Sequence, residues 1–174
     1  MRRKRSKITC VIDPMFLVSW SKFRHGSKLV EAIERGYITD DFYDLFSKET
    51  TLSFLRSLLE SKVLVIYDLF DESYNEVLSA VKRTFMDDKR LCQLDKVLAK
   101  LLAIAIVEDI PLFSDSYCVC KFARLYWDAS MVWSSYKVLR YMADLGLLDD
   151  LDKTLKVFSE DTGTIFVKLR RRNE

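Results

Sequence analysis

Two aspartates stand where this chain could hold a cation. The run Cys10-Val11-Ile12-Asp13-Pro14 is an apolar stretch that stops at a carboxylate, and Pro111-Leu112-Phe113-Ser114-Asp115 ends the same way. Strands that are apolar on both faces belong to parallel sheets, and open parallel sheets gather ligands at the carboxyl ends of their strands. Pro14 restricts Asp13 to extended backbone, which displays its side chain at the sheet edge. Carboxylate oxygens suit hard divalent cations. His25 is the only histidine, which disfavours triad chemistry and an imidazole metal site. A phosphatase or receiver-like use of Asp13 as a phosphorylated nucleophile is weakened by Pro14 and by the lack of a downstream lysine at a clear strand end.

The elements that must position these groups alternate. Ile8–Ile12 reads as a strand. A short helix capped by Ser27 runs through Arg35 and stops at Gly36, with Leu29, Val30 and Ile33 as its stripe. Thr39 or Asp40 opens a second helix carrying Phe42, Leu45 and Phe46. Thr50 or Thr51 opens a third, with Leu52, Leu55, Leu58 and Leu59 on one face. Val63–Ile66 is a buried strand. Helices follow from Ser73 towards Met86 and from about Leu91 to Val107, the latter apolar enough in its second half to be deeply buried. After the Asp115 strand, helical patterns cover Tyr117–Trp127, Ser134–Leu145 (closed by Gly146) and Asp149–Phe158, and Thr164–Val167 reads as a final strand. Strands alternating with helices predict an α/β layer fold with a mostly parallel central sheet.

The 174 residues suit one domain, 8–169, between basic tails at 1–7 and 170–174. Four glycines and two prolines argue against a sandwich. No apolar stretch reaches membrane-spanning length, and the basic start lacks the apolar segment of a signal peptide. An intracellular, cytoplasmic protein is the expectation. Four cysteines make no disulfide framework and no zinc spacing. A Cys10–Cys120 or Cys92–Cys118 bridge would fit only a hyperthermophilic source, toward which the scarcity of Asn and Gln leans. The net charge of +2 hides basic ends that suit phosphates or simple solvation.

Several of these segments together resemble the PIN domain, the α/β/α nuclease module of VapC-type toxins and ribosome-maturation endonucleases. The strand ending in Asp13 is one. Asp95-Lys96-Val97-Leu98-Ala99 is similar to the family's Asp-x-x-Ile/Leu-Ala, and Ile110 to Asp115 is similar to Leu-Pro-Leu-Val-Thr-x-Asp. Asp115-Ser116-Tyr117-Cys118-Val119 resembles Asp-Asp-Tyr-x-Val, and Ser134 to Leu148 resembles the helix that ends in Gly-Leu-Ile. The resemblance covers most of residues 8–150.

It implies a three-layer α/β/α fold and a metal-dependent endoribonuclease. Asp13, Asp44, Asp95 and Asp115 would be catalytic, with Asp13, Asp95 and Asp115 on Mg²⁺ or Mn²⁺ and a supporting hydroxyl from Ser114 or Ser134. Metal-activated water needs no histidine base. RNA is the implied substrate, with an antitoxin-type protein and a second copy as possible partners. Departures define the alternative, a catalytically degenerate PIN-like module that binds nucleic acid or protein. Pro14 occupies the place of a family hydroxyl. Asp44 replaces a longer Glu, with Glu49 as the other choice. Asp95 lies one turn upstream of the toxin position, which Leu98 fills, although residues 95 and 98 share a helix face. Trp127, Trp133, Tyr136 and Tyr141 suit base stacking, core packing or a dimer surface. His25 is expected to be an exposed loop residue.

Overall fold

In the computed structural model, which describes residues 6–166, the fold is carried by five short strands. They are β1 (Ile8–Ile12), β2 (Ile33–Ile38), β3 (Leu64–Ile66), β4 (Leu112–Phe113) and β5 (Val132–Trp133). All neighbours pair in parallel, in the order β3-β2-β1-β4-β5. β1 is therefore central, and complete burial of Cys10, Val11 and Ile12 accounts for their unbroken apolar run. The chain steps from β1 outward to β2 and β3, then crosses back to β4 on the other side. Strand order reverses between β1 and β4, the position at which open parallel sheets form a ligand crevice.

Among the described residues eight helices flank the strands: α1 (Pro14–Lys22), α2 (Leu29–Ala32), α3 (Glu49–Glu60), α4 (Glu72–Asp87), α5 (Lys96–Val107), α6 (Tyr117–Tyr126), α7 (Ser135–Asp144) and α8 (Leu151–Thr162). Aspartates start four of them: Asp13, Asp71, Asp95 and Asp150 each accept a hydrogen bond from a first-turn amide. Pro14 sits at the first position of α1, where its missing N–H costs nothing. α1 packs on α3 and α8, with Trp20 and Phe23 meeting Phe158 at 5.6 and 5.0 Å between ring centroids. α5 packs on α4 and against β1 and β4, and Phe85 of α4 stacks on Phe122 of α6 at 5.1 Å. The result is a three-layer α/β/α fold. Leu101 to Ala105 of α5 are fully buried in it, as their composition requires.

The structure corrects several of the predicted elements, and adds α1, which none of them covers. The helix expected over 27–35 shrinks to a 3₁₀ turn (Gly26–Lys28) and the four-residue α2, because Ile33–Ile38 is a strand. Leu29, Val30 and Ile33 do fall at helical spacing, but the slot between β1 and β3 buries Ile33 and Ile38 and decides their conformation. Gly36 pairs with Cys10 rather than ending a helix; a Cβ there would lie 2.8 Å from Leu64 Cδ2 and 2.9 Å from Ile12 Cδ1. β5 has no counterpart among the predicted strands. The expected final strand is absent from Thr164–Phe166, while Val167 and the basic residues at 1–5 and 168–172 lie outside the described residues. The second helix is a 3₁₀ segment, Asp40–Leu45, and the helix expected from Leu91 starts at Lys96.

Gly26 supplies a stability test. A Cβ at this position would stand 2.2 Å from the backbone oxygen of Trp20, and backbone at the buried end of α1 cannot retreat as a side-chain tip can. Gly26→Ala is expected to lower the unfolding free energy by about 3 kcal/mol, the upper end for overpacking, in urea denaturation. A change below about 0.5 kcal/mol would mean that the turn relaxes freely.

Candidate active site

Asp13 follows β1 directly, in extended backbone (φ −75°, ψ 138°). It is 3% exposed. Its Oδ1 accepts the Met15 amide at 2.8 Å and its Oδ2 accepts the hydroxyl of the fully buried Ser114. Ser114 follows β4, so parallel pairing of β1 with β4 brings the two together. The Ser114 oxygen also accepts the Ser116 amide at 3.1 Å. Of the two expected supporting hydroxyls, Ser114 thus contacts a site carboxylate.

Asp95 caps α5, its Oδ1 accepting the amides of Val97 and Leu98 at 2.7 and 3.2 Å. Its Oδ2 accepts no hydrogen bond from a described residue, and its side chain is exposed. Asp13 and Asp95 border one cavity of about 310 Å³ with Met15, Phe46, Leu98 and Ser116. Asp95 and Leu98 both face it, so the one-turn displacement of Asp95 leaves it beside the cleft.

Asp115 is held from the other side. Its Oδ1 accepts the Ser135 amide at 2.8 Å and its Oδ2 accepts the Ser135 hydroxyl. Ser135 is fully buried and also accepts the indole N–H of Trp20 at 3.1 Å. A chain of bonds therefore runs from the core through Ser135 to the third carboxylate. The other expected supporting hydroxyl, the neighbouring Ser134, instead caps α7 through the Lys137 amide at 3.4 Å. Ser134 and Ser135 are equivalent as types; only the start of α7 separates cap from partner.

The structure does not bring Asp44 to the cleft. It is exposed on the 3₁₀ segment, and its neighbours Leu45 and Phe46 line the cavity instead. Glu49 pairs with Arg56 at 3.2 Å on the surface. The acidic residue engaged beyond β2 is Asp41, which accepts the Thr39 hydroxyl at 2.6 Å and meets Lys100 of α5 at 2.7 Å. Burial opposes its charge, but the Lys100 and Thr39 bonds outweigh it and hold Asp41 below the usual carboxylate range. The Asp40-Asp41 pair was visible in the sequence, its lysine partner was not. Trp133 stacks on Phe113 at 5.6 Å, lies edge-on to Tyr141 and carries Lys137 4.6 Å above its ring, so it is engaged in packing. His25 is exposed, edge-on to Phe23.

Burial raises the Asp13 pKa; the Ser114 and Met15 bonds pull it down, and the negative charges of Asp115 and Asp95 push it up again. The net shift is upward. Asp115 and Asp95 thus both bear on the charge of Asp13, a field that a hard cation would relieve. Among the described residues, no three acidic, cysteine or histidine side chains already stand at the spacing of one ion's ligand shell. The donor set nevertheless fits Mg²⁺ or Mn²⁺, because Mg²⁺ is held by one or two carboxylates together with waters and substrate phosphate oxygens.

This shift has a measurable sign. A folded-state carboxyl with a raised pKa binds its proton more tightly than the unfolded chain, so stability is lost as pH rises through the folded pKa. Asp13→Asn keeps the shape without the titration. The unfolding free energy of wild type minus that of Asp13→Asn is expected to fall between pH 3 and pH 7 in parallel urea titrations. A difference that is flat with pH would show that the Asp13 charge is not destabilising.

Neither a protein-family model nor a curated protein sequence matches the chain. Fold and site alone define the class: an open parallel α/β/α protein with carboxylates gathered at the reversal of strand order. None of its helices, among the described residues, is long and apolar enough to cross a membrane.

Proposed function

We propose that the protein is a metal-dependent endoribonuclease of PIN type that hydrolyses RNA phosphodiesters. One observation carries this reading: Asp13 and Asp95 share a cleft at the β1–β4 reversal, with Asp115 close enough to shift the Asp13 pKa. Mg²⁺ or Mn²⁺ held there would polarise a phosphate oxygen and acidify a water. Ser114 orients Asp13, Ser135 fixes Asp115, and one oxygen of Asp95, a residue on the cleft lining, accepts no hydrogen bond from a described residue. Asp13 and Asp95 cap α1 and α5, and Asp115 accepts the first amide of α7, so backbone amides preset the orientation of all three. An intracellular site of action, a homodimer and an antitoxin-type partner belong to the same proposal.

A second reading is favoured by the position of Asp44 and by the engagement of both Asp115 oxygens: a PIN-like module that binds RNA or protein without hydrolysis. End-labelled single-stranded RNA incubated with the protein in Mn²⁺ or in EDTA separates the two. Cleavage in Mn²⁺ alone supports the nuclease; binding without cleavage in either buffer supports the second reading. Asp44→Asn is expected to change the cleavage rate by no more than about twofold, the effect of an uncommitted surface position. A loss comparable to that of an Asp13 variant would restore Asp44 to the catalytic set.

A further inference from the structure

Asp95 borders a second cavity. A groove of about 450 Å³ between α4 and the start of α5 is walled by Phe85, Met86 and Leu94, with Ala99 at its base and Lys82 and Lys96 on its rim. That volume suits a small-molecule-sized group. Each helix contributes the same pattern. Lys82, Phe85 and Met86 fall on one face of α4, and Lys96 and Ala99 on one face of α5. Met86 is 82% exposed, a large apolar side chain kept at the groove lip. Lys82 and Lys96 are exposed and form no ion pair with a described residue. Gln93, also on the lining, offers an amide that can both donate and accept.

An apolar wall with a cationic rim complements a flat base attached to phosphates. We propose that this groove is a nucleotide subsite for single-stranded RNA. One base lies against Met86 and Leu94, its flanking phosphates meet Lys82 and Lys96, and the adjoining phosphodiester is led past Asp95 into the cleft. A single strand is required because bases stacked in a duplex present no free face to the wall. The inference rests on the ribonuclease reading and adds the substrate form and the direction from which it enters.

The test is fluorescence anisotropy of a fluorescein-labelled RNA decamer in EDTA, where cleavage cannot interfere. Lys82→Glu/Lys96→Glu is expected to weaken binding at least tenfold and to flatten its salt dependence, as the loss of two phosphate contacts requires. Met86→Asp should weaken it severalfold with an unchanged melting temperature. Lys153→Glu/Lys156→Glu on α8 applies the same change of charge away from the groove. Equal losses in the two double variants would overturn the subsite, since only net charge would then matter. So would equal groove dependence for a duplex, or wild-type binding by both groove variants. The nuclease reading fails separately. Groove-dependent binding without Mn²⁺ cleavage removes it and keeps the subsite, whereas cleavage at wild-type kcat and KM in Lys82→Glu/Lys96→Glu removes only the subsite.

Discussion

Asp13→Asn is expected to lower Mn²⁺-dependent RNA cleavage by about 10³-fold, equivalent to roughly 4 kcal/mol of lost transition-state stabilisation. Asparagine keeps the volume and the oxygen that accepts the Met15 amide, so α1 remains capped. What disappears is the negative charge at the most buried carboxylate of the site. The loss should therefore be catalytic rather than structural, and circular dichroism and urea denaturation at pH 7 should show a fold at least as stable as wild type. Metal linkage gives an independent readout: saturating Mn²⁺ should raise the melting temperature of wild type and leave that of Asp13→Asn nearly unchanged. Equal cleavage by the two proteins would remove the proposed mechanism. Ser114→Ala should act in the same direction but less strongly, because it removes only the hydroxyl that orients Asp13.

Replacing the bridge between Cys92 and Cys118 is expected to have the second-largest effect. The two cysteines are joined, 26 residues apart in sequence, while Cys10 and Cys120 are free thiols. Closing a loop of that length restricts the unfolded chain by about 3.5 kcal/mol in the chain-entropy description. Cys92→Ser/Cys118→Ser should thus melt roughly 10 °C below wild type. Excess dithiothreitol should bring wild type to the same value, and the variant itself should not respond to it. A melting temperature indifferent to reductant in wild type would show that the bridge contributes nothing to stability.

The position of the bridge gives it a second consequence. Cys92 lies three residues before Asp95, and Cys118 lies three residues after Asp115. The bridge thereby ties the segment that presents one carboxylate to the helix that follows the other. Near it, Arg90 pairs with Asp88 at 2.7 Å and both meet the hydroxyl of Tyr126, holding the same segment to the end of α6. Opening the disulfide should loosen Asp95 more than Asp13, which is set by the sheet. Mn²⁺ affinity should accordingly fall further in Cys92→Ser/Cys118→Ser than stability alone accounts for.

The parts legible from sequence share a physical cause: each reports its own burial. Cys10 to Ile12 and Leu101 to Ala105 are continuously apolar because every face of those segments is covered. Asp95 could be read as the start of a helix because capping depends on the residue itself and on the amides that follow; Asp13, expected only as a strand end, also caps α1, a helix that the predicted elements lack. Two other unpredicted elements take their conformation from neighbours. Ile33–Ile38 carries the exposed Glu34 and Arg35 and a glycine, and becomes a strand because it fills the place between β1 and β3. β5 is two residues long and exists through pairing with β4.

The same division runs through the site. Sequence alone set the expected kind of chemistry, since carboxylates at strand ends with one histidine in the chain suit a hard cation better than an imidazole site. It also determined the layer architecture, because alternating strands and helices of this composition have few ways to cover their apolar faces. Tertiary structure decided which groups meet. Parallel pairing of β1 with β4 placed Ser114 on Asp13, the start of α7 chose Ser135 over Ser134 for Asp115, and Lys100 was matched to Asp41 rather than to the cleft. Those encounters join residues 20 to 101 positions apart. Local pattern fixes what a side chain is able to do, whereas the pairing of distant strands and helices sets which partner it does it with.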